Sequence, residues 1–419
     1  MNAVQGGEIV KKFLKKASAS AAVIALLGST AIGAADYFTP NSYTTVPNEK
    51  LNWGNGAFSV VQDSAAEVSA KSGSKYPKTY SAKLMLYDTV PIKKVQLNVV
   101  DSSYVVLCGM PFGIKMFTNG VVVVGLADIK TSAGTVNPAS DAGLKIGDII
   151  TTINGKTAGA NTDVENAIES CGGRPVRLTV SRGSEKIPIT LNPVRSESDD
   201  LYKAGLWVRD STAGIGTLTF YDPAGKCFAG LGHGICDSDT GQLMPLLSGD
   251  IVPVTISGIT KGVRGTPGEL RGYFSDRDPI GTLSANVECG VYGMMKRPIE
   301  GKAIKIAMKQ DVKVGPVKIC TTISGSAPQL YDARIEKIDY RESVSSKNLV
   351  LRITDQRILS QAGGIVQGMS GSPIIQNGKL VGAVTHVFVD DPTRGYGIFA
   401  ENMLTESKAI SARENKLAS

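Results

Sequence analysis

The segment GMSGSPIIQNGKLVGAVTHVF, residues 368–388, carries the strongest local signal in this chain. Small residues around Ser370 permit a sharp backbone turn, and the apolar stretch after Pro373 returns through the hairpin dipeptide Asn377-Gly378. A serine in such a turn is a candidate nucleophile, which needs an adjacent base and N–H donors aimed at a developing oxyanion. The pattern predicts Ser370 as the nucleophile and the backbone N–H groups of Gly368 and Ser370 as the oxyanion hole.

Around this segment, residues 200–405 consist of short apolar runs separated by Gly-containing turns. Examples are AGIGTLTFYDP, KCFAGLGHGI, IVPVTISGI and NLVLRITD. Because no long amphipathic helix interrupts them, the pattern is typical of an all-β barrel or sandwich. GMSGSP also resembles the GxSGGP segment around the nucleophile of trypsin-like enzymes. We therefore predict a mainly β protein with a trypsin-like double β-barrel serine protease domain at 200–405.

The general base can be chosen from few candidates, because the chain contains two histidines. His233 lies in GLGHGICDSDTG, in a Gly-flanked turn at the end of an apolar run, and precedes the serine in the chain. His386 lies on the strand that returns after Ser370, where it is a candidate for lining the substrate pocket. An ordinary structural role is the alternative for His386. The sequence predicts His233 as the base.

The aspartate that would orient this base has several candidates. It must hydrogen-bond the imidazole nitrogen that faces away from the serine. Asp355 follows the apolar strand NLVLRIT, and a position at a strand end holds a side chain in place. The plausible alternatives are Asp237, Asp239, Asp250 and Asp278.

Residues 108–195 show a second pattern. The strand-like CGMPFGIKMFTNGVVVVGL is followed by NPASDAGLKIGDIITTINGKT, by a helix-like NTDVENAIESC and by PVRLTVSRGSEKIPITLNPV. This order resembles a PDZ domain of the kind attached to bacterial proteases, and it implies a domain at 90–195 ahead of the protease. The resemblance implies that Phe112, Gly113 and Ile114 form the loop that binds a peptide carboxylate, beside a strand edge that accepts the peptide. The alternative is a domain that only spaces or docks the protease.

The composition of the two ends of the chain indicates an export segment, a linker and a polar tail. Four lysines between positions 11 and 16 precede an uncharged run from Ala17 to Ala35, so residues 1–36 are predicted to engage the membrane and to direct export. Whether this segment is a cleaved signal or an anchor stays open. Residues 37–89 are rich in Ser, Thr and Asn and predict a poorly ordered linker, and the polar tail 406–419 is expected to fray.

Composition excludes several classes of protein. The net charge is +7, and the basic residues form no stripe of the kind that binds nucleic acid. The six cysteines form no CxxC pair, which excludes a common zinc knuckle and a thioredoxin-type motif. Free thiols are expected, with one or two disulfides left open. No metal ion and no organic cofactor is expected.

Three segments together carry a resemblance to one family: LWVRDSTAGIGTLTFYDP, GLGHGICDSDTG and GGIVQGMSGSPIIQNGKLVGAVTHVFVDDPTRGYGIFAENML. They resemble the stage IV sporulation protein B peptidases, PDZ-containing serine peptidases of endospore-forming bacteria. The resemblance implies a triad of Ser370, His233 and Asp355. It also implies export into the space between the two forespore membranes, self-cleavage near the N-terminus, and cleavage of a membrane-associated regulator that releases processing of a sigma-factor precursor.

One residue departs from the trypsin pattern, and two other functions for the chain are disfavoured. Met369 stands where trypsin has the aspartate that pairs with the new N-terminal amine, so that activation switch is not available. A PDZ adaptor with a non-catalytic protease-like domain is disfavoured because Ser370 and His233 are both present. A quality-control protease of the HtrA type is disfavoured because such chains place the PDZ domain after the protease domain.

Overall fold

A computed structural model describes residues 16, 18, 20, 22–23, 26–47, 51–53, 56–70, 78–275, 278–341 and 343–418. Most of the predicted export signal lies outside the described residues, and positions 26–38 are helical. No helix within these ranges is long and apolar enough to span a membrane. The chain forms two compact units, and the first contains the described residues up to Ser102 together with Met308–Val312 and Asp339–Val344.

The first unit is built on a five-stranded sheet with the order β1-β5-β4-β3-β2. Its core consists of Tyr43, Ala82, Leu84, Val95 and Leu97, and the last four alternate along two neighbouring strands, so they share one face. The strands are β1 (Ser42–Thr45), β2 (Asn52–Trp53), β3 (Phe58–Ala70), β4 (Lys78–Leu86) and β5 (Val90–Val99). The prediction of a poorly ordered linker over 37–89 is therefore wrong for the described residues of that range, and residues 90–99 belong to this sheet and not to the PDZ domain.

Strand β6 (Tyr104–Leu107) comes next, and strand β7 (Pro111–Leu126) leads from it into the PDZ fold. Its core includes Val123, Ile150, Val164 and Leu178. The tight turn in DAGLKIGD is closed by the buried carboxylate of Asp148, which accepts the Lys145 N–H and pairs with Arg182 at 2.6 Å. The elements are β8 (Ile129–Thr131), β9 (Gly134–Val136), α1 (Pro138–Asp141), β10 (Ile149–Ile153), β11 (Lys156–Thr157), α2 (Asn161–Glu169), β12 (Val176–Arg182), β13 (Glu185–Leu191), β14 (Val194–Arg195), β15 (Tyr202–Lys203) and β16 (Leu206–Asp222).

Strands β7 and β16 each belong to two domains. The second half of β7 pairs with β10 and with residues 206–209 of β16, inside the PDZ fold. The first half of β7 pairs with the second half of β16 and with the later strand Leu246–Thr260, inside a barrel. The change occurs at Gly120, where φ is +102°, and at a register shift between Arg209 and Ser211. The PDZ domain is thus inserted within the protease, which corrects the predicted boundaries of 90–195 and 200–405.

The first barrel closes on itself with the order β7-β16-β17-β21-β20-β18 and back to β7. Its interior contains Phe112, Ile114, Met116, Leu218 and Phe228, all buried. The remaining strands of this part are β17 (Cys227–Gly230), β18 (Leu246–Thr260), β19 (Glu269–Phe274), β20 (Gly281–Val287) and β21 (Gly290–Met295).

The second barrel closes in the order β23-β24-β25-β28-β27-β26 and back to β23. Two six-stranded barrels confirm the predicted mainly β, double-barrel protease fold. The elements are β22 (Ala303–Ile306), a 3₁₀ turn (Lys309–Asp311), β23 (Gly315–Thr321), β24 (Gln329–Ile338), β25 (Leu349–Ile353), α3 (Gln356–Gln361), β26 (Pro373–Gln376), β27 (Lys379–Val387), β28 (Arg394–Phe399) and α4 (Ala400–Ala418).

The C-terminal residues form the helix α4. Met403, Leu404 and Ile410 of this helix are buried against Phe220 and Tyr292 of the first barrel. The expectation of a frayed tail over 406–419 is therefore wrong for the described residues, because apolar side chains spaced along the helix share one buried face.

Candidate active site

The loop that carries Ser370 lies between α3 and β26 and is held by both barrels. Thr217 of β16 donates its N–H to the Ser370 carbonyl at 2.9 Å and its hydroxyl to the Gly368 carbonyl at 2.8 Å. On the other side, the buried hydroxyl of Ser372 lies 2.9 Å from Thr321 Oγ1 and 2.6 Å from the Met369 carbonyl. The loop is thus fixed where the two barrels meet, and Met369 is a fully buried anchor.

Two glycines in GMSGSP have positive φ values that explain their identity. Gly368 has φ +95°, and a Cβ there would lie 3.0 Å from Leu270 Cβ. Gly371 also has φ +95°, and a Cβ there would collide with the Thr217 carbonyl. This left-handed conformation strongly favours glycine.

The predicted oxyanion hole is available in this loop. Among the described residues, neither the N–H of Gly368 nor that of Ser370 donates a hydrogen bond to the protein. The N–H groups of the intervening Met369 and of the following Gly371 are both used, by Val366 and Val384. The two free donors can therefore face an oxyanion that forms beside Ser370.

His233 follows β17 in a left-handed turn. Leu231 has φ +63° and Gly232 has φ +69°, so the backbone reverses immediately before the histidine. The ring Nδ1 lies 2.8 Å from the Gly234 carbonyl. Because a carbonyl can only accept, Nδ1 carries the proton, and the neutral ring keeps a lone pair on Nε2. Burial lowers the pKa of His233, and the hydrogen bond to Gly234 offsets part of that effect.

His386 stacks on His233. The two ring centroids are 4.5 Å apart and the rings are tilted by 34°. Burial, together with the charges of His233 and Lys347, lowers the pKa of His386 to about 4. Its Nδ1 is buried and has no hydrogen-bond partner in the described structure. His386 lines the cavity described next, and its role in a substrate pocket stays a prediction.

A cavity of about 540 Å³ contains Ser370, His233 and His386 in its wall. Ser370 lines this cavity, and its hydroxyl donates to the Thr385 carbonyl at 2.6 Å. The other walls come from the first barrel and from the stretch before the nucleophile, and they include Thr212, Gly214, Ile215, Ile365, Val366 and Gln367. The cavity therefore combines a nucleophile, a base and two free N–H donors on a mostly apolar surface.

Asp355 does not reach His233. One carboxylate oxygen accepts the Arg357 N–H at 2.9 Å, which caps α3, and the other accepts the Asp332 N–H at 3.1 Å. Arg357 also forms an ion pair with this carboxylate at 2.8 Å. The Arg357 hydrogen bonds hold the pKa of Asp355 well below its usual range, although burial opposes them. The predicted triad role of Asp355 is corrected to helix capping, because all of these partners lie outside the cavity.

The alternative aspartates are also absent from the cavity wall. Asp237 and Asp239 pair with Arg209, and Asp250 lies on β18 between Lys115 and Thr282. In place of a carboxylate, the Gly234 carbonyl orients the His233 ring. Sequence reasoning missed this acceptor because every residue has a carbonyl group, and only the left-handed turn brings this one to Nδ1.

The predicted carboxylate-binding residues lie in the first barrel. Phe112, Gly113 and Ile114 pair with β16 on one side and with β18 on the other, so their backbone N–H groups are not open to a peptide. Phe112 is fully buried, and Ile114 reaches the wall of the catalytic cavity. The assignment of these residues to a PDZ loop is therefore wrong. The Gly-containing pattern PFGI serves barrel packing instead.

The described residues contain no group of three or more His, Cys, Asp or Glu side chains placed to bind a metal ion. All six cysteines are free thiols, which agrees with the default expectation from their spacing. Burial raises the pKa of Cys108 to about 12 and that of Cys320 to about 11, so these thiols remain protonated at neutral pH.

Two family profiles match the chain. Residues 200–404 match the profile described as SpoIVB peptidase S55, and residues 110–192 match that of the PDZ domain. The first match contains Ser370 and His233, and the second begins within the barrel half of β7.

Curated relatives match over a short stretch. Serine protease HTRA1 of Xenopus tropicalis is 45% identical over 60 residues, which is 14% of this chain and 13% of that protein. The protein of the same name from Xenopus laevis is 43% identical over 60 residues, with the same coverage of both chains. This chain thus spans well under two thirds of the length of these relatives.

Among solved structures, the inactive form of the Rv3671c protease is 16% identical, with a TM-score of 0.29 over 47% of this chain and 84% of that one. The active form of Rv3671c from M. tuberculosis is 17% identical, with a TM-score of 0.27 over 47% of this chain and 74% of that one. The double-barrel architecture rests on the strand pairings given above.

Proposed function

We propose that the chain, whose residues 200–404 match the SpoIVB peptidase profile, is a regulatory serine endopeptidase that acts with Ser370 and His233. The observation that carries this proposal is the shared cavity of Ser370, His233 and two unpaired N–H donors. A regulatory enzyme cleaves few substrates, and an inserted PDZ domain offers a second contact by which a protein substrate is selected.

The geometry supports a mechanism based on a serine–histidine dyad. His233 Nε2 takes the proton of Ser370 as the hydroxyl attacks the substrate carbonyl, and the N–H groups of Gly368 and Ser370 bind the oxyanion. The imidazolium then gives its proton to the leaving amine, and water repeats the sequence on the acyl-enzyme. The Gly234 carbonyl keeps the proton on Nδ1 throughout, which is the orienting role that an aspartate has in a triad.

Labelling with a fluorophosphonate tests the nucleophile directly. We expect the label on Ser370 in the wild-type protein, and no label and a loss of turnover of about 10⁶ in Ser370→Ala and in His233→Ala. The double variant should lose nothing further, because the two residues act as a unit. Ser372→Ala is the matched control for a serine of the same loop whose hydroxyl is buried against Thr321. A label on any other serine would contradict the proposal.

The proposed setting is outside the cytoplasmic membrane during sporulation. The lysine-flanked, uncharged segment before Asp36 supports export, and the family supports action in the forespore intermembrane space on a membrane-associated regulator. We further propose self-cleavage near the N-terminus, which releases the enzyme from the membrane. Sequencing the N-terminus of the mature protein from sporulating cells tests this, and an intact Met1 in the wild type would contradict it.

The PDZ domain is proposed to bind an extended peptide segment at residues 206–209. In the described structure these residues pair on one side only, with β7, and α2 lies next to them, since the Asn161 N–H donates to Asp210 at 2.8 Å. A strand with one open edge beside a helix can accept a further strand by β-addition. Crosslinking from Trp207, which is 67% exposed, to a bound substrate tests this site.

A further inference from the structure

We infer that Arg209, carried by the last strand of the PDZ domain, is a positioning residue for the loop that begins at the catalytic base His233. The inference deepens the proposed function, on which it rests, because it assigns a role in catalysis to a residue outside the cavity. It also gives a reason for the insertion of a PDZ domain at this point of the barrel.

Arg209 holds the loop through two carboxylates. Its guanidinium forms an ion pair with Asp237 and a second one with Asp239 at 2.9 Å. The side chain of Asp237 is only 1% exposed, and its other oxygen accepts the N–H groups of Asp239 and Thr240 at 3.0 and 2.9 Å. Without Arg209 this carboxylate would remain buried with its charge uncompensated, which is strongly unfavourable. That cost is relieved when the loop moves or when the carboxylate takes up a proton.

The fold of the loop transmits such a movement to His233. Asp237 follows His233 by four residues, and between them Asn286 fixes Ile235, accepting its N–H at 2.8 Å and donating to its carbonyl at 2.9 Å. The hydrogen bond of the His233 ring goes to Gly234, which belongs to the same loop. The ring therefore takes its position from the loop, which the side chains of Asn286 and Arg209 hold in place.

The PDZ side of this contact is packed as well as paired. A Cβ on Gly147 would collide with the side chain of Gln242, so the loop lies directly on the PDZ turn that contains DAGLKIGD. Next to the PDZ fold, the barrel residue Asn119 also donates its N–H to the Pro245 carbonyl at the end of the loop, at 3.2 Å. Because the PDZ turn packs on Gln242, a displacement of the PDZ domain would shift the loop.

Arg209→Ala tests the inference against Arg195→Ala, which removes an arginine whose ion pair with Asp200 is exposed and lies away from the loop. We expect kcat for a short peptide, per Ser370 titrated with fluorophosphonate, to fall by about tenfold to a hundredfold in Arg209→Ala with little change in KM. Arg209→Lys should recover part of that loss, because an ammonium group supplies the charge without the fork. Arg195→Ala should match the wild type.

The Hε1 ring proton of each histidine gives an NMR signal, and this signal supplies a readout that does not depend on turnover. The chain has two histidines, so their Hε1 signals can be assigned with His386→Phe. We expect the His233 signal to shift or broaden in Arg209→Ala and to stay unchanged in Arg195→Ala. Wild-type signals and kcat in Arg209→Ala would overturn the inference. A wild-type enzyme that neither cleaves nor takes the label would instead refute the proposed function, and the ring signals would still decide the role of Arg209.

Discussion

The hydroxyl of Ser370 is in a resting arrangement, because it donates to the Thr385 carbonyl and not to His233. The proposed mechanism requires a rotation about the serine side chain that exchanges this hydrogen bond for one to His233 Nε2. A neutral hydrogen bond contributes about 1 kcal/mol, so the exchange is a small part of the barrier. Catalytic hydrogen bonds are often long or misaligned without substrate, which is consistent with this geometry.

The Asp355→Asn variant distinguishes a catalytic triad that includes Asp355 from a dyad of Ser370 and His233. Asparagine caps a helix as well as aspartate does, so α3 should be retained, and Arg357 should lose a partner at the surface of the barrel. We expect turnover to stay within about threefold of the wild type, whereas loss of a triad aspartate costs about 10⁴. Peptide cleavage assays at neutral pH provide the measurement. A loss close to the triad value would restore Asp355 to the active site.

The pH profile of kcat/KM should report the burial of His233. A base works only when neutral, and burial lowers its pKa, so activity should persist below the ordinary histidine value of about 6.5. His386→Ala removes a ring that covers His233 at 4.5 Å, and water then raises the pKa of His233 and moves the acid limb to higher pH.

His386→Phe is the matched control for this profile. Phenylalanine keeps a flat ring over His233 and removes the unpaired Nδ1. Its acid limb should stay at the low pH of the wild type. An upward shift in both variants of equal size would show that the ring contact is not the cause.

At the scale of single residues, Ser370 and His233 were predictable from the sequence, and the group that orients the His233 ring was not. Ser370 and His233 follow from GMSGSP and from the small number of histidines, since their chemistry restricts the residue type and the turn around them. The position of a third group depends on how two barrels meet. Asp355 ends a strand, and an aspartate there is equally suited to capping the helix that follows.

Among the elements, β7 determines how the PFGI segment must be interpreted. Gly113 lies where β7 passes between β16 and β18, and a Cβ there would lie 2.7 Å from Phe274 Cδ1 and 2.8 Å from Val252 Cγ2. Gly113→Val should therefore destabilise the first barrel by about 1–3 kcal/mol, as overpacking does. Thermal unfolding measures this, together with cleavage of a short peptide and of a protein substrate.

The matched control for Gly113→Val is Gly258→Val in the neighbouring strand β18, since a Cβ at Gly258 meets only side-chain atoms of Arg271, at 3.5 Å or more. Both activities should fall together in Gly113→Val, in proportion to the folded fraction. A selective loss of protein-substrate cleavage with an unchanged melting temperature would return residues 111–114 to a peptide-binding loop.

The elements that the sequence did not predict share a physical cause. In β4, the inward residues Ala82 and Leu84 alternate with polar ones inside a Ser- and Thr-rich region, so the average composition concealed a period of two. In α4, the buried Met403, Leu404 and Ile410 lie within a largely polar sequence, and the barrel surface supplies their partner. Both elements are stabilised by tertiary packing, which composition does not report.

In the whole molecule, the PDZ domain lies between the first and second strands of the first barrel. Two facts make this insertion compatible with a closed barrel: β7 and β16 are antiparallel neighbours, and they remain paired from the barrel into the PDZ fold. The sequence predicted a PDZ domain and a double-barrel serine peptidase. It did not predict the nesting, because the strand signals of β7 and β16 continue across the boundary without a break.

Excision of the PDZ domain should leave the barrel intact. Deleting residues 121–209 joins Gly120 to Asp210, and because Phe117 pairs with Ser211 the new connection is a hairpin loop of Thr118, Asn119, Gly120 and Asp210. Four-residue loops are common in hairpins, and the Asn-Gly pair suits positive φ values. We expect cooperative thermal unfolding and a fluorophosphonate label on Ser370, with kcat reduced as in Arg209→Ala because the same anchor is lost.

The fragment 200–419, which begins at the boundary suggested by composition, is the contrasting case. It lacks β6 and the barrel half of β7, so the first barrel loses one strand and the buried side chains of Phe112, Ile114 and Met116. Burial of one such side chain contributes about 1.5–3 kcal/mol, and a domain has about 5–15 kcal/mol in total, so this fragment should not fold. Thermal unfolding followed by circular dichroism should show a cooperative transition for the protein without residues 121–209 and none for the fragment 200–419. A folded, labelled 200–419 fragment would show that the peptidase is an independent domain behind the PDZ domain, and the nested arrangement would then be refuted.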